Sequence, residues 1–63
     1  MNNENNEDRL LKLTEVMERT SLSKSTIYRL MQENKLQSVK IGNLIRFKES
    51  ELRRFINSLE VLS

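Results

Sequence analysis

The sequence predicts a mostly α fold with a small β-hairpin, three helices and two strands in the order α-α-β-β-α. Apolar residues recur at helical spacing in two runs between Leu13 and Gln32, separated by only a short turn. Past Asn34 the period changes to alternation around Gly42-Asn43, and from Glu49 to about Leu59 a helical stripe returns.

The first helix is expected from Leu13, Val16, Met17 and Thr20, which fall at i, i+3, i+4 and i+7 and so share one face. Thr14 is its expected cap, Glu15 suits the positive end of the helix dipole, and Arg19 suits the negative end. Thr20-Ser21-Leu22 then forms a turn in which Leu22 is an apolar anchor for both helices. A connection this short forces the two helices to cross, which is helix-turn-helix spacing.

The second helix, over about residues 24–33, opens on Ser23, whose hydroxyl oxygen accepts a bond from an otherwise unpaired amide of the first turn. At about 100° per residue, Ile27, Leu30 and Met31 face inward, while Ser25, Tyr28, Arg29 and Gln32 face away. The free face thus holds hydroxyls, a guanidinium and an amide. Arg pairs bidentately with guanine and Gln with adenine, and Ser, Tyr and Lys hold phosphates. A polar helix face alone is a solvated surface, so its neighbours decide what it means.

In the hairpin, over about residues 38–47, Val39 and Ile41 are expected on one side of the first strand and Ile45 and Phe47 on one side of the second. Gly42-Asn43 is the turn, because Gly takes positive φ readily and Asn tolerates it. Lys40 and Arg46 alternate out of the apolar set and are expected to project from the hairpin. A basic hairpin directly after a capped helix with a polar free face is a wing. The closing helix has Leu52, Phe55, Ile56 and Leu59 at core spacing, with Arg53, Arg54, Asn57 and Ser58 outside and Glu49 spaced to pair with Arg53. The expected core is Leu13, Val16, Leu22, Ile27, Leu30, Leu36, Ile41, Phe47, Leu52, Phe55 and Ile56.

A chain of 63 residues has room for one small domain and no second core. With no Cys and no His it lacks disulfides, the usual zinc ligands, thiol nucleophiles and the commonest general base, so neither enzymatic chemistry nor a cofactor is expected. Apolar runs are too short for a membrane span, and the acidic, Asn-rich start lacks the pattern of a signal peptide, so a cytoplasmic location is expected. Residues 1–9 read as a disordered tail, residues 10–60 as the domain and residues 61–63 as a second tail.

The net charge of +2 says little until it is placed. Glu4, Glu7 and Asp8 make the start acidic, whereas Lys24, Arg29, Lys35, Lys40, Arg46 and Lys48 in the middle face only Glu33. Such a basic middle concentrates a polyanion and suits a phosphate backbone.

These residues carry a resemblance. Leu10-Leu11, Thr14-Glu15-Val16, the run Leu22-Ser23-Lys24-Ser25-Thr26-Ile27-Tyr28-Arg29-Leu30, then Val39-Lys40-Ile41-Gly42, Arg46-Phe47 and Ser50-Glu51-Leu52 resemble the AlpA family. Its members are small phage and prophage regulators, close to the excisionases and to the DNA-binding head of MerR-type regulators. Ser21 stands where the family has a turn Gly, so the backbone there either avoids positive φ or carries strain. Met17 replaces a small residue and Asn34 another Gly, the Pro before the first wing strand is missing, and Phe55 stands in the place of a Trp.

The resemblance implies a winged helix-turn-helix that binds double-stranded DNA, with the second helix in the major groove. Ser25, Arg29 and Gln32 would then lie nearest the base edges, with Lys24, Thr26 and Tyr28 on phosphate or sugar. Lys40, Asn43 and Arg46 of the wing would reach the backbone or the adjacent minor groove. One such module buries only roughly 600–1,000 Å² of protein surface, so more than one copy is expected to bind DNA. A dimer, a cooperative array on DNA, or a partner such as an integrase or RNA polymerase all remain open, whereas no membrane or small-molecule partner is expected. Three functions are compatible with these residues: a transcriptional regulator first, an excisionase second, and a protein-interaction module from a different class.

Overall fold

The computed structural model describes residues 8–62. Its elements are β1 (Leu10–Leu11), α1 (Leu13–Thr20), α2 (Lys24–Gln32), β2 (Val39–Ile41), β3 (Leu44–Lys48) and α3 (Glu49–Asn57). Three helices and an antiparallel hairpin in this order form a winged helix-turn-helix.

The expected order holds, with one strand added in front. β1 pairs antiparallel with β3, Leu10 opposite Lys48 and Leu11 opposite Phe47, so the hairpin becomes a three-stranded sheet in the order β1-β3-β2. The pairing turns Leu11 inward onto Phe47, and both side chains are fully buried. Seven residues make the core: Leu11, Val16, Ile27, Leu36, Phe47, Leu52 and Phe55. Leu13, Met17, Leu22, Leu30, Met31 and Ile45 pack around them, half-buried.

Two residues expected in the core are outside it. Ile41 is 49% exposed and Ile56 is 42% exposed. Ile56 lies within α3 at the edge of its buried stripe, which Leu52 and Phe55 carry, and Leu59, beyond the helix end at Asn57, is exposed as well. Ile41 is moved by the register of the hairpin, as shown below. Leu11 takes up core volume that the sequence pattern assigned elsewhere.

α1 starts earlier than expected. Lys12, extended at φ −76° and ψ 159°, is its cap residue, and its carbonyl accepts from the amides of Glu15 and Val16 at 3.0 and 3.1 Å. Thr14 is therefore inside the first turn. At the other end Ser21 takes the left-handed conformation, φ 61° and ψ 24°, and its amide donates to the Met17 carbonyl at 2.8 Å. This closes α1 with a left-handed cap, the strained alternative for a serine in a glycine position.

Of the tail expected over residues 1–9, the first seven residues lie outside the described ones. Asp8 and Arg9 are held to the domain: Ser50 Oγ donates to Asp8 Oδ1 at 2.6 Å, and the Glu49 amide donates to the Arg9 carbonyl at 2.8 Å.

Candidate nucleic-acid interface

The candidate interface is built on α2, which is fixed at both ends. Ser23, extended at φ −75° and ψ 163°, accepts from the Thr26 amide at 3.3 Å, as expected of the cap. The Ser23 hydroxyl also lies 3.0 Å from Thr26 Oγ1 and 3.2 Å from Ser25 Oγ, so the three hydroxyls form one capping cluster. At the other end Asn34 is left-handed at φ 61°. Its amide donates to Met31 and that of Lys35 to Leu30, at 3.1 and 2.9 Å. These two bonds make a Schellman closure, and Leu36 follows directly into the core.

Between these ends Ile27 is fully buried, with Leu30 and Met31 half-buried beside the core. Lys24, Ser25, Tyr28, Arg29 and Gln32 are exposed on the other side, as the 100° spacing requires. Thr26 is half-buried, and its hydroxyl belongs to the cap rather than to the open face.

The hairpin departs from the expected arrangement. Val39 lies opposite Arg46, Lys40 opposite Ile45, and Ile41 opposite Leu44 around the two-residue turn Gly42-Asn43. Residues directly opposite in a sheet share a face, so Lys40 stands on the same face as Ile45 and Phe47. Val39, Ile41, Leu44 and Arg46 form the other face, together with Lys48. Lys40 and Arg46 therefore do not make one outward row. Lys40 and Asn43 are exposed, whereas Arg46 is half-buried and donates from Nη1 to the Ile45 carbonyl at 2.9 Å. Gly42 has φ 59° while Asn43 does not have positive φ, the pattern of a type II′ turn.

Sequence reasoning missed Lys48 on this outer face and the exposed pair Ile41 and Leu44 at the tip. The two-residue turn was the available signal: once Ile45 and Phe47 are taken as inward, it fixes which β2 residue stands opposite each of them.

The loop from α2 to the hairpin is tied to α3. The Gln37 amide donates to Glu51 Oε2 at 3.2 Å, and Arg54 Nη2 donates to the same oxygen at 2.6 Å. The Arg54 hydrogen bond, opposed in part by desolvation and aided by the Gln37 amide, holds the Glu51 carboxyl below its ordinary pKa.

Apart from Arg46 and Arg53, the cations divide into two sets. Arg9 and Arg19 pair with Glu15, Arg19 also with Glu49, Lys35 with Glu33, and Arg54 with Glu51. Lys24 and Arg29 on α2, Lys40 and Lys48 on the hairpin, and Lys12 have no acidic partner among the described residues. Apart from Lys12, the positive charge left without an acidic partner is thus carried by the helix and the hairpin that follow the turn. That disposition attracts a polyanion.

The fold and this face define a DNA-binding helix-turn-helix. The family model described as a helix-turn-helix domain matches residues 10–60, and the chain belongs to that family, which includes AlpA-like and excisionase-like DNA-binding proteins. Comparison with curated proteins and with solved structures returned no match. No described helix is long and apolar enough to cross a membrane.

Proposed function

We propose that the chain is a sequence-specific double-stranded DNA-binding protein acting as a phage- or prophage-type transcriptional regulator, with α2 in the major groove. Ser25, Arg29 and Gln32 read base edges, and Lys24, Thr26 and Tyr28 hold phosphate or sugar. Thr26 contributes through the capping cluster more than through a free hydroxyl, since Ser23 already engages it. Lys40, Asn43 and Arg46 of the hairpin lie on the backbone or in the adjacent minor groove, reaching it from both faces of the ribbon rather than from one.

The observation that carries this reading is the exposed α2 face, on which Lys24 and Arg29 have no acidic partner among the described residues, whereas Arg9, Arg19, Lys35 and Arg54 are paired. The protein acts in the cytoplasm without a cofactor, and more than one copy occupies a site, because one module covers little DNA.

Fluorescence anisotropy against random duplex at two salt concentrations is the first test. Phosphate contacts make affinity fall steeply with salt, and a salt-independent or absent signal would move the helix face to a protein partner. Selection of bound sequences, followed by their location in the source genome, then separates the two DNA functions. Promoter operators support a regulator, and tandem sites beside a recombination core make the chain an excisionase with an integrase as partner.

A further inference from the structure

The tip of the β2–β3 hairpin is apolar and serves no core. Ile41 and Leu44 stand directly opposite each other next to the turn and are 49% and 53% exposed, while Ile45 and Phe47 on the other face supply the packing. The turn between them is narrow: Gly42 has no side chain, and the space its Cβ would occupy is open. Below this tip the ribbon is cationic on both faces, with Lys40 on one and Arg46 and Lys48 on the other, and no acid occurs from Gln37 to Lys48.

On the reading that the chain binds duplex DNA, we propose that Ile41 and Leu44 form an apolar wedge that enters the minor groove and makes the hairpin a reader of DNA deformability. An apolar tip with a cationic collar complements a groove whose floor is sugar and base edge and whose rims are phosphate. Ile and Leu are among the side chains that part base steps from that groove. A second copy of the chain fits the tip poorly, since a symmetric contact would bring Lys40, Arg46 and Lys48 against their own counterparts.

The dimensions imply a bend. Paired strands lie about 4.8 Å apart and carry side chains outside that spacing, whereas the minor groove of B-DNA is about 6 Å wide. The ribbon enters only where the groove opens, and the groove opens most readily at pyrimidine–purine steps, which unstack easily. Specificity then arises at a step that no hydrogen bond reads.

Parallel selections from a random duplex pool with the full wild-type chain and with the double variant Ile41→Thr/Leu44→Thr test this. Threonine keeps β-branching and strand propensity at two exposed positions, and far-UV circular dichroism with the urea midpoint checks the fold of the variant. Wild-type sites should carry a TA or CA step at a fixed distance from the bases read by α2, and end-labelled duplexes should show bending by energy transfer. The variant should keep the α2-read bases and the salt slope, lose the step preference and the bend, and bind the wild-type site about tenfold more weakly. Leu10→Thr, on the same sheet face away from the tip, should bind as wild type. Equal profiles and bends for wild type and double variant would overturn the wedge, as would a wild type that self-associates without DNA through these two residues. Failure of the wild type to select any duplex would instead overturn DNA binding itself, and the wedge with it.

Discussion

Arg19 Nη1 donates to Glu49 Oε2 at 2.9 Å and ties the end of α1 to the start of α3. The same guanidinium donates from Nη2 to Glu15 at 2.9 Å, and Arg9 reaches Glu15 at 3.5 Å. A cation placed to suit the end of its own helix thus also clasps the first turn of another, where the dipole favours the carboxylate. Glu49, spaced along its own helix to pair with Arg53, is held chiefly by Arg19, with Arg53 a weaker electrostatic neighbour.

The clasp makes stability depend on acid pH. Hydrogen bonding from Arg19 lowers the pKa of Glu49, and bonding from Arg54 lowers that of Glu51, in each case against partial desolvation. Because the folded pKa values lie below the unfolded ones, this stability is present above the ordinary carboxylate range and is lost as pH falls through the folded values. The urea midpoint should be level from neutral pH to about 5 and drop below about 4.5. Glu49→Gln and Glu51→Gln should lower it at pH 7 and converge with wild type in acid. A variant that stays displaced by the same amount at all pH values would show that these carboxylates do not carry the acid limb.

Adjacent leucines in β1 should behave oppositely. Leu11 is fully buried against Phe47, and Leu11→Ala should cost about 2–5 kcal/mol, a large share of what so small a core supplies. Leu10 is 45% exposed on the outer face of the sheet, and Leu10→Ala should stay within about 0.5 kcal/mol. Equilibrium urea unfolding of both variants checks the alternation, and equal losses would remove β1 from the sheet.

What was legible in the sequence follows from periodicity long enough to repeat. Ser23 as a cap and the inward face Ile27, Leu30 and Met31 were readable because α2 runs for nine residues between clear stops. Two-residue β1 was not, since two leucines have no period and the strand exists only through its pairing with β3. The hairpin faces failed for a related reason. Val39 and Ile41 look inward when β2 is read alone, yet the two-residue turn places Lys40 opposite Ile45, and Ile45 packs on the core. Tertiary register therefore overrode local alternation, and it split Lys40 from Arg46 while exposing Ile41 and Leu44. Of the candidate site, the open face of α2 was readable, whereas the engagement of Thr26 in the cap and the half-burial of Arg46 depend on neighbours that spacing does not show.

The three left-handed turn positions among the described residues should respond differently to substitution. Ser21, at φ 61°, has neither glycine's freedom nor asparagine's local hydrogen bonding, so Ser21→Gly should stabilise the domain by about 0.5–1 kcal/mol. Asn34 has the same φ but tolerates it, and Asn34→Gly should be close to neutral. Gly42→Ala should destabilise by about 1 kcal/mol although nothing lies within 4 Å of the added Cβ, because its φ of 59° is the obstacle. Thermal midpoints under one buffer condition rank the three, and a destabilised Ser21→Gly would mean that the serine side chain contributes more than its strain costs.

Substitution of Arg29 and of Lys40 tests the proposed division between base reading and phosphate binding. Both are exposed and have no acidic partner among the described residues, so neither substitution breaks an internal ion pair and both effects report on the interface. Arg29 is exposed on the open α2 face, and on the proposed reading its guanidinium meets a guanine edge in the major groove. Arg29→Ala should cost about 1–3 kcal/mol on the selected site and relax preference at one base pair, with little change on random DNA. Lys40 stands on the hairpin among residues with no acid nearby, so Lys40→Ala should weaken all sequences alike and reduce the slope of log K against log salt by about 1. Anisotropy titrations of both variants against selected and random duplexes at several salt concentrations measure the two effects together. Equal losses for Arg29→Ala on both duplexes would make Arg29 a phosphate contact, and an unchanged slope for Lys40→Ala would take Lys40 out of the interface.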